Sequence, residues 1–284
     1  NQLAWQASIP DVVSTVPAVD AAGNVYVHSH EALHAYDGEG GALWTLELGG
    51  GHVRSESSSP VIGPDGTLYV GTFNAEHLFA VSPSGELLWS TAVGRSYSTP
   101  ALAGDGSIYI GIGGVGGLVK VGSDGTVLWQ AEADGYVHTA PVVGPDGTIY
   151  TASLSGTLYA HAPDGRRVWT LALGDGSWSA PALSTTGVLS VLSGYFSSEA
   201  VLQAIGTDGT EMWRHEFGPG EYRQQATPTV GADGTVYVST ANSLHAFAPD
   251  GRLLWSYAPG GGSGSPVIGP GGILYVGQSL QVLQ

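Results

Sequence analysis

The chain has 284 residues, of which 42% are hydrophobic, and this is enough apolar material for one large all-β domain or two smaller domains. Eight Lys and Arg against 24 Asp and Glu give a formal net charge of −16, which repels phosphate backbones and argues against nucleic acid as a partner. Because there is no cysteine, disulfides, thiol nucleophiles and zinc-thiolate sites are excluded.

Glycine and proline punctuate the whole chain, with 45 and 16 copies, and this density predicts many turns. No run approaches 18 consecutive apolar residues, so no transmembrane helix is expected. The sequence has no initiator Met and no signal peptide, and we expect it to be a processed or trimmed piece. Its low lysine and high Gly, Ser and Thr content favour an exported bacterial protein, periplasmic or extracellular.

An internal repeat runs along the whole chain with a spacing of 38 to 47 residues. Each copy opens with a proline: Pro17, Pro60, Pro100, Pro141, Pro181, Pro228 and Pro266. A tryptophan closes all but the last copy: Trp44, Trp89, Trp129, Trp169, Trp213 and Trp255. This period is that of a four-stranded propeller blade.

The second copy shows why each blade should contain four strands. It consists of SSPVIG, the turn PDG, TLYVG, the loop TFNAEH, LFAVS, the turn PSG and ELLWS. The runs are short and rich in β-branched and aromatic residues, and the turns carry a glycine where a positive φ is expected. The sequence therefore predicts antiparallel hairpins throughout.

The two ends of the chain predict how the ring closes. The seventh copy stops after its third strand, while the chain begins NQLAWQ, with Trp5 where a closing tryptophan belongs. We therefore expect residues 1–284 to form a single all-β, seven-bladed β-propeller of four-stranded antiparallel blades. Its last blade consists of residues 266–284 plus about the first six residues, an arrangement that removes exposed sheet edges.

The copies TPTVGADGTVYVSTANSLHAFAPDGRLLW and APVVGPDGTIYTASLSGTLYAHAPDGRRVW resemble the quinoprotein-type (PQQ-like) propeller repeat. That repeat occurs in PQQ-dependent alcohol dehydrogenases and in the outer-membrane assembly lipoprotein propeller. The dehydrogenases have eight blades, a vicinal disulfide and a calcium or lanthanide ion held by Glu, Asn and Asp. Seven copies, no cysteine and no matching acidic constellation imply that this chain is not a PQQ dehydrogenase and has no cofactor.

We expect the functional site where the loop between two blades leads into a first strand. This loop opens on the same face as the loop between strands two and three. Three residues before each proline the side chains vary: Ser14, Ser57, Tyr97, His138, Trp178, Gln225 and Ser263. Five residues before it they vary again: Val12, Ser55, Arg95, Tyr136, Gly176, Arg223 and Gly261. Alternation along an extended segment predicts that both sets face one central funnel.

The ligand-binding residues that this geometry predicts are Arg54, Glu56, Arg95, Tyr97, Tyr136, His138, Trp178, Tyr195, Phe196, Arg223 and Gln225. Phe73, Asn74 and Glu76 lie on a companion loop of blade two. Three of the eight basic residues fall in these segments, which favours recognition of a carboxylate or another planar anion, and the aromatic rings favour a flat or sugar-like body.

The leading hypothesis is a non-enzymatic, monomeric binding or scaffold propeller for a small molecule, a saccharide or a protein. The alternative is an enzyme on the same face, such as a lyase of carboxylate-bearing sugars, with Tyr136 or His138 as base and Arg95 and Arg223 as neutralisers. A third hypothesis is a pure interaction domain within a larger membrane protein. Whether the chain is an enzyme is left open, with binding preferred.

The remaining motifs favour structural roles. His34 and His245 recur at a bulky position of the third strand and are predicted to be packed. His28 and His30 have same-face spacing but no third ligand fixed by spacing, so no metal site is predicted. Lys120 replaces an alanine of other blades and is expected to snorkel. GIGGVGGL joins two strands rather than opening a helix, which excludes a dinucleotide loop.

Overall fold

The computed structural model describes residues 4–9, 13, 15–30, 32–49, 58–114, 116–197, 199–221, 226–258, 264–276 and 281–283. Within these ranges there are 27 strands and one 3-10 turn, Pro270–Gly272. They form six four-stranded sheets and one three-stranded sheet, and every pairing is antiparallel. The predicted all-β class and the four-stranded blades are confirmed. No helix of the described ranges could span a membrane.

The chain divides into two compact units, Asn1–Pro141 and Val142–Gln284. The first unit contains blades one to three, and in each blade the strands pair in chain order. Their bounds are β1 Ala18–Val19, β2 Val25–His28, β3 Ala32–Tyr36 and β4 Ala42–Glu47; β5 Val61–Ile62, β6 Leu68–Gly71, β7 His77–Val81 and β8 Leu87–Ala92; β9 Ala101–Leu102, β10 Ile108–Ile112, β11 Gly117–Val121 and β12 Val127–Glu132.

The second unit contains blades four to seven. Their bounds are β13 Val142–Val143, β14 Ile149–Ala152, β15 Thr157–His161 and β16 Arg167–Ala172; β17 Ala182–Leu183, β18 Val188–Ser193, β19 Glu199–Gly206 and β20 Glu211–Pro219; β21 Thr229–Val230, β22 Val236–Ser239, β23 Leu244–Phe247 and β24 Leu253–Tyr257; β25 Val267–Ile268, β26 Leu274–Val276 and β27 Gln281–Leu283.

The Asp-Gly turns fix the hairpins as the sequence predicts. In blade two Gly66 adopts a φ of 86°, which favours glycine, and Asp65 accepts hydrogen bonds from the backbone N–H and the hydroxyl of Thr67 at 3.0 and 2.9 Å. These hydrogen bonds lower the pKa of Asp65. The turn therefore holds a charged carboxylate at neutral pH and sets the register of β5 and β6.

Five tryptophans join neighbouring blades within the two units. Each indole Nε1 donates to a backbone carbonyl in a turn of the following blade at 2.8 to 3.1 Å: Trp5 to Gly38, Trp44 to Pro83, Trp89 to Ser123, Trp169 to Thr207 and Trp213 to Pro249. The ring also covers a turn glycine, since a Cβ at Gly85 would overlap the Trp44 ring. Buried apolar residues fill the space between neighbouring blades of one unit.

Trp5 makes with blade one the contact that Trp44 makes with blade two. It bonds Gly38, lies against Gly40, and its ring centroid is 6.3 Å from that of Tyr36. Residues 1–3 lie outside the described residues, and residues 4–9 are not assigned to a strand. The completion of the last blade by the N-terminal residues, and a single domain over 1–284, stay predictions.

Candidate functional site

A buried hydroxyl framework shapes the segments that lead into the first strands. Ser96 is fully buried and its Oγ donates to the carbonyl of Gly111 at 2.7 Å, while Ser98 Oγ donates to the carbonyl of Thr139 in the next blade at 2.9 Å. Buried Ser96 alternates with Arg95 and Tyr97, which are exposed and half-buried. This alternation is the one that the sequence predicts.

The first unit brings four rings from two inter-blade segments and one companion loop into a continuous row. Phe73 stacks on Tyr97 at a centroid distance of 4.3 Å, and Tyr97 meets His138 edge to face at 4.6 Å. Tyr136 contacts the same imidazole at 5.1 Å. We call Phe73, Tyr97, His138 and Tyr136 the ring cluster. The three centroid distances lie at or close to the short end of the range of favourable aromatic pairs.

Arg95 lies at one end of the ring cluster and is held there on two sides. Its guanidinium carbon is 5.4 Å from the centroid of Phe73, and its Nε donates to Oε1 of Glu76 at 2.9 Å. Both side chains are about half exposed, with 60% for Arg95 and 49% for Glu76. The positive charge of Arg95 is therefore offset by a neighbouring carboxylate, so that Arg95 alone gives the cluster little net attraction for an anion.

Glu76 is the one non-glycine residue with a positive φ, 59°, among the residues that the structure describes. Its carbonyl accepts the backbone N–H groups of Val93 and Gly94, both at 3.0 Å. In blade four the matching place in the loop is taken by Gly156, at φ 87°, whose carbonyl accepts the N–H of Leu173. A side chain in this conformation costs on the order of 1 kcal/mol, and such outliers concentrate at functional sites.

His138 is neutral at physiological pH in this environment. Burial of its imidazole lowers the pKa of His138 to about 4. Its neighbour Tyr136 is 43% exposed and lies flat on Gly113, where an added Cβ would overlap Cδ1 and Cε1 of the phenol ring. The position of Tyr136 thus depends on a glycine in the companion loop of blade three.

The second unit holds a separate aromatic group on blade five. The rings of Trp178 and Tyr195 lie 5.1 Å apart, and Phe196 meets Tyr195 edge to face at 4.8 Å. Phe196 is 71% exposed. Its loop is held by Asp175, whose carboxylate accepts the backbone N–H groups of Gly176, Phe196 and Ser197 at 2.6, 3.2 and 2.6 Å.

The charge state of Asp175 follows from those contacts. Burial raises the pKa of Asp175, but the hydrogen bonds from Ser197, Gly176 and Phe196 outweigh that effect and hold the pKa below its usual range. The carboxylate therefore stays ionised and keeps its three backbone donors at neutral pH. These three hydrogen bonds hold the backbone that carries the exposed ring of Phe196.

The structure brings together Arg95, Tyr97, Tyr136 and His138, and separately Trp178, Tyr195 and Phe196. The other predicted site residues, Arg54, Glu56, Arg223 and Gln225, lie outside the described residues. Glu221, two residues before Arg223, accepts hydrogen bonds from Thr240 at 2.6 Å and from Asn242 at 3.0 Å.

Three other histidines have structural partners. His34 bonds Ser29 at 3.0 Å and Thr45 at 3.1 Å. His245 bonds Thr240 at 3.3 Å and Ser256 at 2.8 Å, which confirms the packed role predicted for both. Nδ1 of His28 lies 2.8 Å from the carbonyl of Ser58. The described ranges contain no group of three His, Cys, Asp or Glu side chains that could hold a metal.

Lys120 is more buried than the prediction of a snorkelling side chain implies. Its Nζ lies 3.4 Å from Oδ2 of Asp105 and 5.3 Å from the centroid of Tyr109. Burial lowers the pKa of Lys120, but Tyr109 and Asp105 together raise it above its usual value. The ammonium is thus a structural charge inside blade three.

Two contacts of the candidate site are not evident in the sequence. The Glu76 to Arg95 ion pair joins residues of different loops, and the Asp175 clamp joins an inter-blade segment to the insert of blade five. The sequence gives one clue to the special position of Glu76, because it stands at the end of a loop where a copy of the repeat has glycine. The sequence gives no such clue for Asp175, since neighbouring copies have other residues at that position.

Comparisons with known proteins identify the repeat. The family model described as outer membrane protein assembly factor BamB matches residues 1–99, 115–205 and 198–284. A search of curated proteins finds no significant match.

Solved structures share the fold. BamB from Moraxella catarrhalis is 21% identical, with a TM-score of 0.76 over 97% of this chain and 85% of that chain. Virginiamycin B lyase from Staphylococcus aureus is 14% identical, with a TM-score of 0.66 over 92% and 90%. A europium-containing methanol dehydrogenase is 13% identical, with a TM-score of 0.72 over 94% and 73%.

At these identities the likeness shows the β-propeller fold, as the sequence predicts, while function has to be argued from the site. The family match covers nearly the whole chain and confirms the predicted resemblance. The chain belongs to the propeller family described as outer membrane protein assembly factor BamB.

Proposed function

We propose that the chain is a non-enzymatic recognition module that binds a protein partner through the ring cluster and Arg95. The observation that carries the proposal is the unbroken row of contacts from Phe73 through Tyr97 and His138 to Tyr136. Rings held by one another lose little conformational entropy on binding, and such aromatic groups with an adjacent arginine are typical anchors of protein interfaces.

The local charge favours a polypeptide over a polyanion. Arg95 is paired with Glu76, and His138 is neutral because its pKa is about 4. The net charge of −16 repels an acidic polysaccharide at long range. A peptide offers apolar side chains that pack on aromatic faces and uncharged carbonyls that accept hydrogen bonds from a guanidinium. A protein partner also agrees with the family description as an assembly factor, and we expect an exported protein.

The competing proposal is a lyase, and virginiamycin B lyase is among the similar folds. An elimination base works best with a pKa near the operating pH, and the pKa of His138, about 4, is well below it. The charge pairing of Arg95 also weakens its use as a neutraliser of a substrate carboxylate. These observations favour binding over elimination.

The test is site-specific photo-crosslinking in the producing cell. A crosslinking amino acid at Tyr136 should capture one protein, whereas the same group at Tyr257, an exposed residue of β24, should not. Affinity of the identified protein is then measured against the purified wild type and variants. The lyase proposal predicts instead a product with ultraviolet absorbance from acidic polysaccharides, lost in His138→Ala.

A further inference from the structure

Blade five lacks the tyrosine that the six other blades carry on their second strand, in five of them against the tryptophan of the same blade. In those five blades the phenol ring lies 5.8 to 6.0 Å from the tryptophan of the same blade: Tyr26, Tyr69, Tyr109, Tyr150 and Tyr237. Ser190 takes that position in blade five, since it pairs with Ala204 and Ala204 pairs with Trp213. Tyr150, Ala160 and Trp169 show the same register in blade four.

The partner of that tyrosine is replaced as well. Four residues before the tyrosine, blades two, three, four and six carry the aspartate of their turn: Asp65, Asp105, Asp146 and Asp233. In blade one the hydroxyl of Tyr26 donates to Oδ2 of Asp20 at 3.0 Å. Blade five has Thr186 instead, and its hydroxyl lies 3.0 Å from that of Ser184. Blade five thus lacks both the ring and the carboxylate near its hydroxyl.

A cavity stands in the space left between blades five and six. Its lining includes Ser184, Thr186, Ser190, Trp213, Val236 and Pro249. Thr186 and Pro249 are exposed and form the mouth, whereas Ser190 is only 1% exposed and forms the floor. The cavity is therefore a slot that runs inward from the surface of the turns.

The floor of the slot carries an unsatisfied polar atom. Oγ of Ser190 is buried and has no hydrogen-bond partner among the residues that the structure describes. A buried hydroxyl without a partner is unfavourable, and native proteins leave few of them. A ligand that brings a hydroxyl to the floor would remove this penalty.

The slot is small. The centre of a water molecule can occupy about 20 Å³ of it, which is room for about one water. Stacked carbons lie about 3.5–4.0 Å apart, so a gap that admits one flat ring is only slightly wider than a water molecule. The centre of a water molecule can therefore move only within a thin layer of such a gap. The same pair of strands holds such a ring in blade four, where Tyr150 lies against Trp169.

We propose that this slot binds a phenol ring that enters with its hydroxyl group first. The ring lies against Trp213, as the tyrosines of other blades lie against their tryptophans, and its hydroxyl bonds Oγ of Ser190. The apolar side chains of Trp213 and Val236 beside the buried hydroxyl of Ser190 match a phenol better than a charged ligand. The source is either a free phenol or the tyrosine side chain of another protein.

The probe is 4-fluorophenol, followed by fluorine NMR on the full chain. We expect saturable binding with a Kd on the order of 1 mM, as suits a ligand of eight heavy atoms. Ser190→Tyr combined with Thr186→Asp restores the pair of the other blades and should abolish binding while the protein stays folded. An absence of binding by the folded wild type, or unchanged binding by the refilled variant, overturns the proposal.

A second comparison tests the hydroxyl at the floor. Ser190→Ala should weaken 4-fluorophenol about tenfold but leave fluorobenzene unchanged. Ser239→Ala is the matched control, because Ser239 is also buried without a partner among the described residues but does not line the slot. Equal losses in both variants overturn the role of Ser190. If a tyrosine peptide displaces 4-fluorophenol and the matching phenylalanine peptide does not, the natural ligand is the tyrosine side chain of a protein. If the tyrosine peptide does not compete, the natural ligand is a free phenol.

Discussion

The imidazole of His138 receives the ring of Tyr97 edge to face, with centroids 4.6 Å apart, although the two residues belong to the segments that lead into consecutive blades. The contact joins variable positions of neighbouring repeats into one surface. Because Phe73 contacts Tyr97 and Tyr136 contacts His138, a displacement of one ring should shift the others.

Gly113→Ala should weaken partner binding without altering any residue of the ring cluster. The new methyl group would overlap the ring of Tyr136, which is 43% exposed and able to turn away. The free energy of unfolding, measured with urea, should change by about 1 kcal/mol or less, because a surface ring rather than the core must move. Gly104→Ala is the matched control, since a Cβ there meets nothing within 4 Å. Equal affinities of both variants would contradict the account.

Glu76→Gly and Glu76→Gln separate strain from charge. Both remove the ion pair with Arg95, which contributes about 0–1 kcal/mol at this exposure. Only the glycine variant relieves the positive φ, so its free energy of unfolding should exceed that of the glutamine variant by about 1 kcal/mol. Both variants should bind the partner less tightly, because Arg95 is no longer held over Phe73. A glycine variant that is less stable than the glutamine variant would exclude backbone strain at Glu76.

Acid should destabilise the fold through two buried histidines. Burial lowers the pKa of His138 to about 4, and burial together with Arg167 lowers that of His161 to about 4. Because the unfolded chain binds these protons at pH 6.5 and the folded chain only near pH 4, the stability present above pH 6.5 falls as the pH drops towards 4. The loss is up to about 3 kcal/mol for each group.

His161→Val tests this pH dependence directly. Valine is the residue at the matching place in blades two and three, Val81 and Val121, which pair with their second strands as His161 does. Between pH 7.5 and 5, urea unfolding of the variant should lose about 2 kcal/mol less than that of the wild type. An identical loss in both proteins would show that His161 is not a source of the acid sensitivity.

Trp178→Ala and Trp89→Ala should differ in how much stability they lose. Trp89 bonds Ser123 of the next blade and packs against a buried core, so its removal should cost about 3 kcal/mol of unfolding free energy. Trp178 contacts Tyr195 on the loops, outside the ring cluster, so its removal should cost about 1 kcal/mol and leave partner affinity unchanged. Stability is measured by urea unfolding and affinity by calorimetry. A large stability loss in Trp178→Ala would assign that residue to the core instead.

The repeat makes most of the fold predictable, because each proline, turn glycine and closing tryptophan is tied to local geometry. Alternation around the prolines correctly separates buried Ser96 from Arg95 and Tyr97. Contacts between loops are not encoded by this period. The pairing of Arg95 with Glu76 depends on the exact path of two loops, and the slot at Ser190 depends on packing between two blades. Such departures become visible only when copies are compared in space.

The most direct test of the recognition surface is the affinity of the crosslinked partner for the double variant Tyr97→Ala, Tyr136→Ala. The account predicts a loss of at least about tenfold, or ~1.4 kcal/mol, measured by calorimetry on protein with unchanged unfolding behaviour. Tyr257→Ala, which removes an exposed tyrosine of β24, should bind like the wild type. Wild-type affinity in the double variant would contradict the claim that the ring cluster is the site of recognition.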